Sequence, residues 1–331
     1  MVNKQIHLVR RPQGEPTEAC FALVEQPLAA PAPGEVVVRN RFLSLDPYMR
    51  GRMDDAKSYA QPQALNEVMQ GATAGEVLQS KHPDFKPGDL FAAKFGLGWQ
   101  THAVVAGDKI MKVDGKRVPL SYYVGLLGMP GATAWYGTNR ILDPQAGQTL
   151  VVTAATGAVG GVVGQLAKFR GARVVGIAGG AAKCDYAVDA LGFDACVDYK
   201  MAGWKDAIKA ATPDGVDRVF ENVGGEIFDA LLGRMKPFGR VAVCGLISGY
   251  NGVPTPLHNF RSVLVNKLMI QGFIISDHFD LWPQAHRELA DLVVAGKLKY
   301  RESMAEGIEN APRAFMGLLK GENFGKQVVK L

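Results

Sequence analysis

Cysteine is sparse: 331 residues contain four, Cys20, Cys184, Cys196 and Cys244, with no Cys-x-x-Cys pair and no metal-ligand spacing toward the six histidines. That excludes a disulfide-stapled framework and the usual structural zinc sites, and makes reduced thiols in the cytoplasm the expectation. Blocks of like charge are missing too. The 37 basic and 32 acidic residues leave a net charge of +5, with basic residues in short pairs such as Arg10-Arg11. Without a clustered basic footprint no nucleic-acid partner is expected, although a polyphosphate ligand would not be repelled. Long apolar runs are also absent. Charge interrupts the stretch Ile6 to Arg11 where a signal peptide needs its apolar region. The charge-free stretches 118–139 and 144–167 are broken by glycines, by Pro130, and by Gln148, Thr149, Thr153 and Thr156. Neither a leader nor a membrane span is expected.

Hydrophobic residues at 47% and charged residues at 21% are ordinary for a globular chain, and the length suits two domains or one large α/β domain with insertions. Glycine is in surplus: 39 residues, about 12%, with no collagen-like period and no Gly/Ser linker. Those glycines are expected in turns and close packings.

Up to about residue 120 the chain reads as short strands between turn signals. A Pro-Ala-Pro-Gly turn precedes the β-branched stretch 34–41, residues 74–78 form a second strand, the turn Lys86-Pro87-Gly88-Asp89 feeds residues 90–93, and 99–105 continue the pattern. This spacing predicts a small barrel or rolled sheet rather than βαβ units. Beyond Tyr122 strands and helices alternate. Strands are predicted at 150–154, 173–178, 195–198, 218–221, 240–244 and 268–273, with helices at 159–170, 183–191, 204–211 and 228–234 between them. Alternation of this kind implies an α/β fold with a doubly wound parallel Rossmann sheet, helices on both faces.

The segment Thr156-Gly157-Ala158-Val159-Gly160-Gly161-Val162-Val163-Gly164 lies where the first of these strands turns into a helix. In that context its glycines read as a dinucleotide fingerprint, spaced Gly-x-x-Gly-x-x-x-Gly rather than Gly-x-Gly-x-x-Gly. Gly157 is assigned the tight turn, Gly160 the close approach to a pyrophosphate, and Gly164 close helix–strand packing, with helix-end N–H groups of the Gly157-Ala158-Val159 turn facing the phosphates. An acidic residue at the end of the second strand would select NADH through the ribose 2′-hydroxyl. Gly179-Gly180-Ala181-Ala182 stands there instead, followed by Lys183, with Tyr199 and Lys200 at the end of the third strand. Positive charge without a competing acid points to NADPH; the plainer alternative for Lys183 is a solvated lysine in a first helical turn.

Taken together, Leu43 to Met53, Gly128-Met129-Pro130-Gly131, Ala154 to Gly160, Glu221-Asn222-Val223-Gly224-Gly225 and Asn323-Phe324-Gly325-Lys326 give five ordered motifs over nearly the whole chain. With them the sequence resembles the zinc-independent prostaglandin reductase and 2-alkenal reductase branch of the medium-chain dehydrogenase/reductase superfamily, most of all its bacterial NADPH-dependent curcumin reductases. The resemblance implies a β-rich, barrel-like (GroES-like) catalytic domain formed by 1–122 and 286–331, interrupted by a Rossmann domain at 123–285. Zinc relatives carry a Gly-His-Glu motif where Gln70-Gly71-Ala72 stands, and a ligand cysteine in the region of Leu45-Asp46-Pro47. With neither ligand present no metal is expected, and Lewis-acid alcohol oxidation is disfavoured.

The implied reaction is NADPH-dependent reduction of the carbon–carbon double bond of an enone or alkenal: hydride reaches the β-carbon, and the enolate is protonated at the α-carbon. The resemblance places Tyr250 near the substrate carbonyl, where a phenol of reference pKa ~10 stays protonated and donates a hydrogen bond; otherwise it is a packed loop tyrosine. Tyr48 matches a substrate-pocket wall, with a core role as the alternative and a structural Asp46/Arg50 pair beside it. Toward the nicotinamide the family positions map onto Met129, Thr133, Asn222, Cys244, Ile247, Phe273, Ile275 and Asn323. Read without the resemblance, Asn222 and Asn323 are turn residues and 273–275 core strand. Zinc-free quinone oxidoreductases and a non-catalytic NADPH- or RNA-binding protein on the same scaffold remain the alternatives. A homodimer paired through residues 268–275 is expected from the family.

Overall fold

The structure is a computed structural model and describes residues 1–93 and 96–331. The chain begins with a hairpin of β1 (Val2–Leu8) and β2 (Phe21–Pro27). The opening that looked merely charge-interrupted is therefore a strand, with Ile6, His7 and Leu8 buried and Lys4 exposed. Next come β3 (Glu35–Ser44), the single-turn helix α1 (Tyr48–Arg52), β4 (Glu67–Val68), β5 (Thr73–Ser80), β6 (Leu90–Ala93), β7 (His102–Ala106) and β8 (Ile110–Lys112). In β3 the run Val36, Val37, Val38 is wholly buried, as suits a central strand paired on both sides by β5 and β7.

A second segment starts with α2 (Met129–Tyr136), which widens into a π-helical turn at Gly137–Leu142. It continues as β9 (Thr149–Thr153), α3 (Gly160–Phe169), β10 (Arg173–Ala178), α4 (Ala181–Asp189), β11 (Ala195–Asp198), α5 (Trp204–Ala211), β12 (Val216–Glu221), α6 (Gly225–Leu232), β13 (Met235–Val243), α7 (Arg261–Val265), β14 (Met269–Gly272) and α8 (Trp282–Val294). The six strands are all parallel, in the order β11-β10-β9-β12-β13-β14. All five residues of β9 are buried, which explains their apolar run: a central parallel strand is covered on both faces. The chain goes from β9 to one side, then resumes at β12 on the other side, so the C-terminal ends of β9 and β12 flank the switch point where doubly wound folds bind ligands.

The chain ends with β15 (Glu302–Glu306), α9 (Ala311–Leu319) and β16 (Lys326–Lys330). β16 pairs with β3, closing a seven-stranded mixed sheet in the order β15-β16-β3-β5-β6-β8 with β7 also on β3. Leu43, Met49, Trp99, Phe315 and Val329 form a core beside it. Two compact units result: Met1–Gly125 with Glu302–Leu331, and Leu126–Arg301. Residues 286–301, which the sequence lines at 122 and 285 give to the first domain, pack within the second unit. Trp135 Nε1 donates to Glu288 at 2.6 Å, Gln165 Nε2 donates to Lys299 O at 2.9 Å, and α8 buries Ala285, Leu289 and Ala290. Among the described residues no helix is long and apolar enough to cross a membrane.

Candidate functional site

β9 leads into α3 through residues 154–159, in a turn closed by Gly157 N–H to Ala154 O at 2.9 Å. Gly157 thus takes part in the tight turn, and the turn also leaves no room for a side chain at Gly160. A Cβ on Gly160 would stand 2.3 Å from Ala154 O, so the turn itself demands glycine there. A Cβ on Gly157 would lie 3.2 Å from the same oxygen and meet nothing beyond Ala154 within 4 Å. Gly164 accommodates an aromatic ring rather than a strand: an added Cβ would come within 2.0 Å of Phe193. Ala158 and Val159 are half-buried in the turn.

At the C-terminal end of β10 the acid-free edge is built as a wall. Tyr199 and Lys200 lie directly over Gly179, whose Cβ would be 2.9 Å from the Tyr199 hydroxyl and 3.0 Å from Lys200 Cε. Asp198 Oδ1 accepts from Gly180 N at 2.8 Å and from Lys200 N at 3.0 Å, so this carboxylate is turned to backbone and fixes both lips of the edge. Lys183 is half-buried in the first turn of α4, and burial together with the Lys200 charge pushes its pKa below the ordinary lysine value. Two converging cations beside a phenol, with the nearby acid diverted, suit a phosphate dianion: an anion there relieves the repulsion the lysines impose on each other. The residues present at this edge therefore fit a 2′-phosphorylated dinucleotide.

Beside the switch point stands a residue to which the sequence motifs assign no role of its own. Glu221, at the end of β12, is fully buried; its Oε1 accepts from Thr153 Oγ1 (3.0 Å), Val223 N (2.5 Å) and Gly224 N (2.7 Å), while Oε2 has no hydrogen-bond partner. Burial outweighs those donors and holds its pKa up to about 7. Asn222 completes the tie: its backbone N donates to Thr153 Oγ1 at 2.8 Å and its Nδ2 to Thr153 O at 2.7 Å, while its own carbonyl accepts from Ile247 N at 3.2 Å. Cys244 N donates to Glu221 O at 2.9 Å, and burial, reinforced by the Glu221 charge, pushes the Cys244 thiol up to about 12. Asn222, Cys244 and Ile247 thus share one shelf with Glu221 beneath it. The available signal was a carboxylate closing an apolar strand just before Asn-Val-Gly-Gly.

Other expected positions are occupied by structural work of their own. Thr133 Oγ1 donates to Met129 O at 2.8 Å, one helical turn back. Residues 273–275 are not strand: β14 stops at Gly272, the Phe273 ring packs on Tyr136 (5.4 Å) and Phe220 (6.2 Å), and Ile275 begins a 3-10 turn. Tyr250 follows the 3-10 turn Ile247–Gly249, and its hydroxyl oxygen accepts from Leu246 N at 3.3 Å.

In the first unit Tyr48 opens α1, half-buried, with the Arg52 guanidinium 5.4 Å from its ring centroid; burial and Asp46 raise its pKa. The expected Asp46/Arg50 pairing is replaced. Asp46 Oδ1 binds Lys326 Nζ at 2.8 Å, both buried, whereas Arg50 bonds Asp54 at 2.7 Å and Gly14 O at 2.8 Å. Lys326 also donates to Leu45 O at 2.5 Å, so β16 anchors the chain just before Tyr48. Asn323 donates to Gly325 O at 2.7 Å, bracing the turn into β16. At the position of the zinc relatives' histidine, a Cβ on Gly71 would meet Leu43 at 2.8 Å and Trp99 at 2.9 Å. Among the described residues no group of three or more His, Cys, Asp or Glu side chains is placed to hold a metal ion.

The chain is also similar to known proteins over nearly its whole length. Residues 4–113 match the family described as the N-terminal domain of oxidoreductase, and residues 158–291 the family described as zinc-binding dehydrogenase. The chain is 43% identical to the NADPH-dependent curcumin reductase of Escherichia coli (strain K12), over 99% of this chain and 97% of that protein. It is 41% identical to the 2-alkenal reductase (NADP(+)-dependent) of Nicotiana tabacum, over 99% and 97%. The crystal structure of CurA in complex with NADPH from Vibrio vulnificus superposes with a TM-score of 0.93 at 44% identity, covering 99% of this chain and 98% of that one.

Proposed function

The chain belongs to the curcumin reductase, 2-alkenal reductase and prostaglandin reductase branch of the medium-chain dehydrogenase/reductase superfamily, and from that membership we propose that it reduces the carbon–carbon double bond of α,β-unsaturated ketones and aldehydes with NADPH. It is an oxidoreductase acting on a small-molecule substrate. The observation that carries the cofactor choice is the wall of Lys183, Tyr199 and Lys200 around the acid-free Gly179 edge.

Bound NADPH supplies the hydride that reaches the β-carbon of the substrate. The chain's own contribution is placement and electrostatics. Residues 157–160 and the first turn of α3 hold the pyrophosphate, and Lys183 with Tyr199 the 2′-phosphate. The shelf of Asn222, Cys244 and Ile247, with Met129, Thr133, Phe273 and Ile275 of the same unit, would frame the nicotinamide, the Phe273 ring being packed on Tyr136 and Phe220. Tyr250 donates a hydrogen bond to the enolate oxygen and Tyr48 lines the substrate space. The first unit acts as the catalytic domain and the second as the nucleotide domain.

β14 lies at the open edge of the parallel sheet, and Met269 on it and Leu264 and Val265 on α7 are exposed. Those features support a homodimer joined along β14. The cytoplasm is the proposed compartment, consistent with free thiols. The test is NADPH consumption with an alkenal, an enone such as curcumin, and a quinone. Turnover of the first two supports the reading; intact NADPH binding with no turnover overturns it.

A further inference from the structure

Two cysteines that the cofactor and substrate readings leave unused lie against each other behind the phosphate wall. Cys196 Sγ donates to Cys184 Sγ at 2.9 Å, closer than two sulfurs that only pack. Cys184 is on α4, next to Lys183; Cys196 is on β11, three residues before Tyr199. The fold makes room for the pair. Cys196 is paired across the sheet with Gly176, whose missing Cβ would stand 3.2 Å from the Cys196 sulfur. β11 is the edge strand and Cys196 is half-buried, so a small oxidant can reach it. α4 is thinly attached: Cys184 and Ala187 are its buried residues.

We propose that Cys184 and Cys196 are a reversible dithiol site for a two-electron oxidant of the peroxide class, and that the disulfide clamps the helix carrying Lys183 to the strand leading to Tyr199. One sulfur attacks the peroxide oxygen: an S–O bond forms, the O–O bond breaks and water leaves, giving a sulfenic acid. The second sulfur attacks the first, forming S–S, breaking S–O and releasing a second water, so two thiols and one hydrogen peroxide give one disulfide and two waters. Burial raises both thiol pKa values, with Asp198 adding to each, so the pair is protonated at neutral pH and its reaction is slow, driven by proximity rather than by a standing thiolate. Closing from 2.9 Å to a bond of about 2.05 Å draws α4 toward β11. The phosphate wall is already narrow, with Tyr199 and Lys200 within 3.0 Å of where a Gly179 Cβ would sit, so clamping lowers NADPH affinity. This consequence rests on the reading that Lys183 and Tyr199 hold the 2′-phosphate.

The test treats the full-length protein with hydrogen peroxide, blocks remaining thiols under denaturing conditions, and maps the peptides by mass spectrometry. Expected is a linked 184–196 pair lighter by two hydrogens and reversed by dithiothreitol, with the KM for NADPH raised severalfold in the oxidised protein and unmoved in peroxide-treated Cys196→Ser and Cys184→Ala. Separate sulfinic acids at the two positions, or both thiols still alkylatable after saturating peroxide, would overturn the site. A linked pair with an unchanged KM would overturn the clamp. Lys183→Ala measured alongside reports on the phosphate reading independently: if it leaves the KM for NADPH unmoved, that reading has failed and the mapped cross-link alone decides the dithiol.

Discussion

Glu221 accepts a hydrogen bond from Thr153 at 3.0 Å, joining the ends of the two strands that flank the switch point inside a fully buried site. Removing the acceptor with Glu221→Ala strands the hydroxyl of Thr153 and the N–H groups of Val223 and Gly224, at a cost of about 3 kcal/mol or more. Glu221→Gln keeps an acceptor at Oε1, though it buries an NH2 where Oε2 has no partner, and is expected to cost less than Glu221→Ala. Denaturant unfolding of the two variants checks the contrast.

The same carboxyl gives a pH dependence. Its pKa is raised from 4.5 to about 7, so the native state holds the proton more tightly than the unfolded chain. The contribution is fully present below 4.5 and is lost as pH rises through about 7, by at most roughly 3 kcal/mol. Unfolding free energies across that window should fall with pH in the wild type and flatten in Glu221→Gln.

The glycines of the turn separate by role. Gly160→Ala drives a Cβ to 2.3 Å from Ala154 O, and Gly164→Ala drives one to 2.0 Å from the Phe193 ring. Each is expected to destabilise by about 1–3 kcal/mol. Gly157→Ala brings a Cβ only to 3.2 Å from Ala154 O, so it should lower the melting temperature far less than Gly160→Ala and raise the KM for NADPH by obstructing the phosphates. Thermal melts beside cofactor kinetics read both effects.

Lys183→Ala should weaken NADPH binding about tenfold, near 1.4 kcal/mol, and NADH binding far less. Isothermal titration with the two cofactors decides; equal losses would remove Lys183 from the phosphate site.

The parallel sheet and its glycine turn were legible because they are local. A strand covered on both faces shows as an apolar run, and a strand–glycine–helix order leaves its mark within a dozen residues. The acid-free edge at Gly179 was legible for the same reason. The Asp46–Lys326 pair was not, because its members are 280 residues apart and no spacing rule joins them. The nearer Arg50 looked like the partner, yet it reaches Asp54 one helical turn on. Glu221 was hidden differently: the sequence places it at the end of a strand, and only the fold shows that its carboxyl is buried there. Phe273 read as strand because an apolar run does not reveal that the strand ends at Gly272 and the ring turns into an aromatic cluster.

Tyr250→Phe keeps the ring and removes the donor. Turnover of an enone should fall about tenfold or more while the KM for NADPH stays unchanged. Steady-state kinetics check this, and unchanged turnover would refute the donor role.

The most direct measurement follows the hydride. With NADPH deuterated at the transferring position and an enone as substrate, mass spectrometry and NMR of the product should show a saturated ketone with one deuterium on the β-carbon and a solvent proton on the α-carbon. An allylic alcohol with deuterium on the former carbonyl carbon would contradict double-bond reduction.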